Sequence, residues 1–234
     1  MRRIKICGIT GPDEIEAIAR HPVSLYGLWY GCGGRHDLDL DELAWLANGG
    51  QGSGAARPCL VTFLSDPERI LKALRHSGIG VVQLHGFCLP RQVRALRERL
   101  DSLSWRVEIL KVLHVKDGVC AEERLIGAYR DCGATGFILD AYAGREAVGS
   151  TGERVGAATA RALTARLAPL PVWLAGGIGA EFLDGFAADP VFAGFDIDSH
   201  ARTAGRICPE RLAAIFAAHV RLLSRLREDP HAAA

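Results

Sequence analysis

The chain has 234 residues, of which 49% are hydrophobic and 24% are charged, and its formal net charge is +1. This length fits one α/β domain of about 200 to 250 residues, and the apolar fraction is large enough for a sizeable core. So small a net charge excludes binding to nucleic acid or to a membrane surface through bulk charge, and no apolar run approaches the roughly 20 residues of a membrane-spanning helix.

Short apolar runs alternate with amphipathic helical patterns along the whole chain. The predicted strands are 3–7, 25–30, 58–64, 80–85, 107–112, 136–140, 171–175 and 194–198. The predicted helices are 13–20, 40–48, 67–76, 90–100, 121–131, 154–167, 180–188 and 209–227. Strict alternation implies a parallel sheet, and eight strands close a barrel. We therefore predict an α/β fold, a single (β/α)8 TIM barrel over 1–227 with a frayed C-terminal tail at 228–234.

Two connections differ from the rest. Residues 49–57 read as a flexible linker on the helix-to-strand side, where an insertion carries no function. Residues 141–153 form a long loop after the sixth strand, on the face where barrels place their active sites. Long loops there tend to be lids, but the sequence does not decide whether this one closes over a ligand.

The cysteines and the first residues of the chain indicate in which cellular compartment we expect the protein. The seven cysteines form no C-x-x-C pair and none lies at zinc-ligand spacing from a histidine. Scattered cysteines of this kind indicate reduced thiols, and 1–4 contain no long apolar stretch of signal-peptide type. We expect a cytoplasmic protein with no metal site and no cofactor.

Cys7 lies where the first strand ends and a turn into a helix begins, within Lys5-Ile6-Cys7-Gly8-Ile9-Thr10. Side chains two residues apart on a strand share a face. If Cys7 and Asp140 point toward the barrel axis, then Lys5, Gln83 and Asp196 form the layer beneath them. Because buried charges need partners, we predict a structural Lys–Asp network in the lower barrel.

Several motifs spread over the strands resemble one family. They are Lys-Ile-Cys-Gly-Ile-Thr at 5–10, Val-Val-Gln-Leu-His-Gly at 81–86, Ile-Leu-Asp at 138–140, Gly-Ser-Thr-Gly at 149–152, Leu-Ala-Gly-Gly-Ile at 174–178 and Phe-Asp-Ile-Asp-Ser at 195–199. Together they resemble the phosphoribosylanthranilate isomerases of tryptophan biosynthesis, from strand 1 to strand 8.

The resemblance implies an Amadori rearrangement, an aldose–ketose isomerisation of an aminoaldose to an aminoketose. It assigns Cys7 as the general base and Asp140 as the general acid. A thiolate is a competent base if nearby positive charge lowers its pKa, and a carboxylic acid donates near neutral pH if burial raises its pKa. Without the resemblance, the two residues would read as a buried thiol and a strand-end loop cap.

Two further residues are substrate-binding candidates. The resemblance places Arg35 against the anthranilate carboxylate, although its loop lacks the family's Ser-Pro and is shorter. The alternative for Arg35 is simple exposure to solvent. His85, at the end of strand 4, contacts the substrate or satisfies backbone groups at the rim.

The expected phosphate site departs from the family pattern. Gly176 and Gly177 are present after strand 7, but the loop after strand 8 carries Asp198 where the family has a small hydroxyl residue. A carboxylate about 4 Å from a phosphate costs several kcal/mol at an effective dielectric constant near 20.

Ser199 matches the family, and His200 and Arg202 offer compensating positive charge for the loop after strand 8. The alternative is that the pocket no longer binds phosphate and that Asp198 holds a sugar hydroxyl or an amine.

Three hypotheses follow, all with a small-molecule substrate and none fixing the oligomeric state. The first is a phosphoribosylanthranilate isomerase-like enzyme. The second is a divergent paralogue that uses the same acid–base pair on a different, non-phosphorylated amino-sugar or ring substrate in a specialised pathway. The third is a barrel that binds a metabolite without turning it over, against which the Cys7–Asp140 pair weighs.

Overall fold

The computed structural model describes residues 2–34, 36–49, 56–141, 155–186 and 192–228. Eight strands belong to the barrel: β1 Arg3–Ile6, β2 Leu25–Trp29, β3 Arg57–Thr62, β4 Val81–Leu84, β5 Glu108–Lys116, β6 Gly136–Ala141, β7 Val172–Leu174 and β8 Gly194–Ile197. The helices that alternate with them are α1 Pro12–Ala19, α2 Leu40–Gly49, α3 Pro67–Ser77, α4 Pro90–Ser102, α5 Ile126–Arg130, α6 Ala157–Leu167, α7 Ala180–Gly185 and α8 Pro209–Glu228.

The strands form a closed ring. They pair in the order β4, β3, β2, β1, β8, β7, β6, β5, and a β4–β5 pairing completes the circle. Every neighbouring pair in the ring is parallel. The predicted (β/α)8 TIM barrel is confirmed.

Most predicted bounds agree with the structure to within one or two residues, and the fifth unit differs most. Strand β5 continues to Lys116 and pairs antiparallel with Val119–Cys120. The predicted helix 121–131 consequently begins as a 3-10 turn, Glu123–Leu125, before α5.

Five predicted segments fall partly outside the described residues: the tail, the loop 141–153, the linker 49–57, and the helices 154–167 and 180–188, in which residues 154, 187 and 188 are not described. Of the predicted tail 228–234, only Glu228 is described, as the last residue of α8, and the remainder lies outside the described residues. The loop 141–153 is described only at Ala141, the last residue of β6, and the linker 49–57 only at its two ends.

Apolar side chains fill two separate regions. The larger core lies between the strands and the helices, whereas a smaller cluster fills the barrel interior. The interior cluster includes Leu25, Cys59, Val61, Val81, Leu110, Val112, Ile138 and Trp173. The interior is thus a packed support for the C-terminal ends of the strands and not a channel. None of the helices described is long and apolar enough to cross a membrane.

A buried ion pair lies near the top of this interior. Lys5 on β1 and Asp196 on β8 are register partners, and the Nζ of Lys5 donates to both carboxylate oxygens at 2.8 and 2.9 Å. Lys5 is fully buried and Asp196 is 8% exposed. Burial by itself lowers the pKa of Lys5, but the attraction and hydrogen bonds of Asp196, together with the neighbouring Cys7 and Cys59, raise it overall. The predicted Lys–Asp pairing is confirmed and joins two neighbouring strands, but it lies nearer the C-terminal ends of the strands than the predicted lower layer.

We predict that Lys5→Met lowers the free energy of unfolding by about 3 to 5 kcal/mol, because it leaves the carboxylate of Asp196 buried without a partner. The double variant Lys5→Met/Asp196→Leu should regain most of that loss. The matched control is Arg57→Met, which removes an exposed ion pair with Glu108 and should cost less than about 1 kcal/mol. Urea unfolding measures all three, and a cost below about 1 kcal/mol for Lys5→Met would contradict the structural role of the pair.

Candidate active site

A narrow cavity of about 40 Å³ opens at the C-terminal ends of the barrel strands. It is lined by Cys7, Trp29, His85, Asp140, Ala175, Gly176, Gly177, Ile178, Asp196, Asp198 and Ser199. The structure therefore brings together all the site residues that the sequence predicts except Arg35 and His200. The lining residues lie at the C-terminal ends of six of the eight barrel strands, so residues far apart in sequence face one small space.

Two predicted residues are not in this cavity. Arg35 lies outside the described residues, so its prediction stays a prediction. His200 lies against Gly179, where an added Cβ would be 2.7 Å from Nδ1 of the ring. It lines a separate depression together with Glu181 on α7 and Arg211 on α8. His200 therefore does not line the cavity, and its part in substrate binding stays a prediction.

The sulfur of Cys7 lies just above the buried ion pair. Cys7 is 5% exposed, and the Nε1–H of Trp29 donates to its Sγ at 3.2 Å. A Cβ on Gly27 would come within 2.8 Å of the sulfur and 3.1 Å of the Nζ of Lys5. Glycine at this position of β2 therefore makes the room that the two side chains occupy.

Burial raises the pKa of the Cys7 thiol to about 11. The ammonium of Lys5 and the Trp29 hydrogen bond favour the thiolate, but Asp196 and Asp198 oppose them. The positive charge that a low pKa requires is present, yet burial and the two carboxylates outweigh it. In the unliganded protein Cys7 is accordingly a thiol at neutral pH.

Asp140, at the end of β6, faces a histidine. It is 5% exposed, and its Oδ2 lies 3.4 Å from the Nε2 of His85. The amide nitrogen of Gln83 lies 3.2 Å from Nδ1 of the same ring. In the tautomer in which Gln83 donates to Nδ1, the ring proton lies on Nε2. Within the described part of the chain Nε2 has no hydrogen-bond partner, so His85 lies beside Asp140 at ion-pair distance without a hydrogen bond between them.

The loop after β8 is organised by Arg202. Its guanidinium donates to Asp198 Oδ1, Glu14 Oε1 and the carbonyl oxygens of Cys7, Gly8 and Gly205, at 2.6 to 3.1 Å. These bonds use all five N–H groups of the side chain. Gly8 has φ of +73°, and a Cβ there would lie 3.1 Å from the guanidinium, so glycine permits this close approach. Arg202 neutralises Asp198, as the sequence suggested, but retains no donor for a phosphate.

Sequence analysis did not identify two buried glutamates that bind other side chains. Glu14 reads as a solvent-facing acid in the first turn of α1, yet it is 4% exposed and binds Arg202. Glu122 follows the fifth strand unit and accepts from Nδ1 of the fully buried His114 at 2.7 Å. The apolar residues Leu113 and Val115, beyond the predicted strand end at 112, are the sequence signal that this strand continues past His114. Among the residues described, no group of three or more His, Cys, Asp or Glu is arranged to hold a metal ion.

We predict that the alkylation rate of Cys7 by iodoacetamide rises about tenfold per pH unit from pH 7 to pH 10, because the thiolate reacts and the pKa is about 11. Mass spectrometry of the Cys7 peptide measures the rate. The control is the same cysteine in urea-unfolded chain, whose rate should level off near the ordinary thiol pKa of about 8.5. A plateau between pH 7 and pH 8 in the folded protein would contradict the predicted burial effect.

No family model matches the chain, but comparison with individual known proteins places the chain in a family. An N-(5'-phosphoribosyl)anthranilate isomerase of Synechococcus sp. (strain JA-2-3B'a(2-13)) is 34% identical over 180 residues, which are 76% of this chain and 72% of that protein. The phosphoribosyl anthranilate isomerase of Thermotoga maritima has a TM-score of 0.74 at 17% identity, over 98% of this chain and 100% of that one. A phosphoribosyl anthranilate isomerase in complex with reduced 1-(o-carboxyphenylamino)-1-deoxyribulose 5-phosphate has a TM-score of 0.70 at 16% identity, over 94% and 100% of the two chains. With that level of identity over most of its length and the same barrel, the chain belongs to the N-(5'-phosphoribosyl)anthranilate isomerase family, an enzyme family of the isomerase class.

Proposed function

We propose that the chain catalyses the Amadori isomerisation of N-(5'-phosphoribosyl)anthranilate, with Cys7 as general base and Asp140 as general acid. The observation that carries the proposal is that a thiol on the end of β1 and a carboxyl group on the end of β6 line one cavity. In the ring, β8 and β7 separate these two strands, so the groups approach a bound molecule from different sides. A protein that only binds a metabolite has no need of such a pair.

The chemistry divides between the two groups. Asp140 donates a proton to the ring oxygen of the aminoaldose, which breaks the C1′–O bond and leaves a protonated Schiff base. Cys7, as thiolate, then takes the proton from C2′, and the electron pair of that C–H bond neutralises the iminium and gives the enolamine. Tautomerisation of the enolamine to the ketone completes the aminoketose.

The raised pKa of Cys7 fits this sequence of steps. In the unliganded protein the thiol is protonated, which protects it from side reactions. Ring opening creates a cationic nitrogen beside the sulfur, and an adjacent positive charge favours the thiolate. The thiol then loses its proton to solvent, and the thiolate so formed takes the C2′ proton that the iminium has made acidic.

We predict that Cys7→Ala and Asp140→Asn each lower kcat on N-(5'-phosphoribosyl)anthranilate by roughly two to four orders of magnitude, since each removes one proton-transfer group. Steady-state kinetics measures the effect. Cys208→Ala is the matched control, because that thiol lies partly exposed beside the start of α8. Wild-type turnover by Cys7→Ala would remove the thiol from the mechanism.

The second candidate function is the same acid–base chemistry on a substrate without a phosphate. It is supported by the loop after β8, where Arg202 is shared between the carboxylates of Asp198 and Glu14. Asp198 lines the cavity beside Gly177 and Ser199, and its carboxylate shares the charge of Arg202 with Glu14. Such a cluster disfavours a phosphate dianion and favours a hydroxyl or an amine.

We predict that Asp198→Ser lowers KM for N-(5'-phosphoribosyl)anthranilate at least about tenfold, because it removes a negative charge and frees the Nε–H of Arg202. The matched control is Asp184→Ser, which breaks a surface aspartate–arginine pair with Arg221 on α7 and α8. Steady-state kinetics compares the two variants. An unchanged KM would show that Asp198 does not hinder phosphate binding, and would remove the support for the second candidate.

A further inference from the structure

The indole of Trp29 is a neighbour of the Cys7 sulfur that the acid–base pair alone does not explain. Trp29 is the last residue of β2, which pairs with β1. Its Nε1–H donates to the Sγ of Cys7 at 3.2 Å, and both side chains line the cavity. Sulfur is a weak acceptor as a thiol and a much better one as a thiolate. The hydrogen bond therefore favours the ionised form of Cys7.

The indole is held in this orientation from several sides. Its ring contacts those of His36, Phe63 and His85, with centroid distances of 5.7, 6.3 and 6.5 Å. The backbone is fixed as well, because the N–H of Leu38 donates to the Trp29 carbonyl at 2.9 Å. A side chain packed on several faces loses little freedom when its N–H makes a bond.

Room for the contact comes from the same strand. Gly27 lies two residues before Trp29. A Cβ at this position would lie only 2.8 Å from the sulfur of Cys7, so glycine leaves the space that the sulfur needs. The position of Cys7 and the reach of the indole are thus both determined by β2.

The other titratable groups near the sulfur include charged side chains and two thiols. They are Lys5 on β1, Asp196 and Asp198 on and after β8, and the thiols Cys32 and Cys59 after β2 and on β3, with His85 and Asp140 lining the same cavity. The Nζ of Lys5 is directed to both oxygens of Asp196. The indole N–H supplies the hydrogen bond to the sulfur without adding a charge that would itself need a partner.

We propose that Trp29 is a positioning residue for the base: its indole N–H orients the sulfur of Cys7 toward the cavity and stabilises the thiolate. The role in turnover rests on the proposed function, whereas the stabilisation of the thiolate is a property of the unliganded protein. The alternative is that Trp29 only packs against its neighbouring rings. The two readings separate because packing changes stability and a hydrogen bond changes the ionisation of Cys7.

The test is Trp29→Phe, which keeps an aromatic ring and removes the N–H. We expect the thiolate fraction of Cys7 at a given pH to fall about tenfold, since bonds to charged groups are stronger than bonds to neutral ones. The thiolate is measured by its ultraviolet absorbance between pH 9 and pH 10.5, as the difference between each protein and its Cys7→Ala counterpart. The pH profile of kcat/KM on N-(5'-phosphoribosyl)anthranilate should move to higher pH by the same amount.

The control is Trp45→Phe, at an indole that is 59% exposed on α2, and it should leave the titration of Cys7 unchanged. Benzothienylalanine at position 29, which replaces the N–H with a sulfur and keeps the indole shape, serves if Trp29→Phe does not fold. An unchanged thiolate titration in the variant that folds overturns the proposal, even if the protein melts at a lower temperature. A changed titration in a protein that does not turn over N-(5'-phosphoribosyl)anthranilate supports the proposal and removes the proposed function instead.

Discussion

The ion pair between Lys5 and Asp196 is the constraint on which the rest of the site depends. It joins β1 to β8, the first and last barrel strands of the chain, at the cavity that Asp196 itself lines. A lysine with no exposed surface is tolerated only because the carboxylate accepts two of its hydrogen bonds. The same two charges act on Cys7 in opposite senses, so the pair supports the fold without forcing the thiol to ionise.

The two proposed catalytic groups have neighbours on different strands of the ring. Asp140 faces His85, whose other nitrogen is held by Gln83, while the sulfur of Cys7 accepts from Trp29. Arg202 holds the carbonyl oxygens at the end of β1 and the carboxylate of Asp198 with one guanidinium. Arg202 thereby connects the loop after β8 to the backbone of Cys7. A change in this loop that alters substrate preference is therefore expected to alter the position of the proposed base as well.

Sequence reasoning predicted the features that follow from periodicity and parity. Eight apolar runs gave the barrel, and the two-residue repeat placed Lys5 and Asp196 in one buried layer. It could not predict contacts between distant side chains whose local pattern looks ordinary: Glu14 resembles an exposed helix-start acid, and nothing around Trp29 in the sequence indicates its hydrogen bond to Cys7. The pKa of Cys7 was also out of reach, because it depends on the balance of burial, one cation and two carboxylates in three dimensions. The placement of His200 away from the cavity depends on the path of a short turn that no periodicity encodes.

The most direct measurement is a crystal structure of the protein with reduced 1-(o-carboxyphenylamino)-1-deoxyribulose 5-phosphate bound. We expect the sugar to lie between β1 and β6. The sulfur of Cys7 should be about 3 to 3.5 Å from C2′, and a carboxyl oxygen of Asp140 should be within hydrogen-bond distance of the former ring oxygen. A ligand bound at this end of the barrel with either group beyond reach of the sugar would contradict the claim that these two residues act together on one molecule.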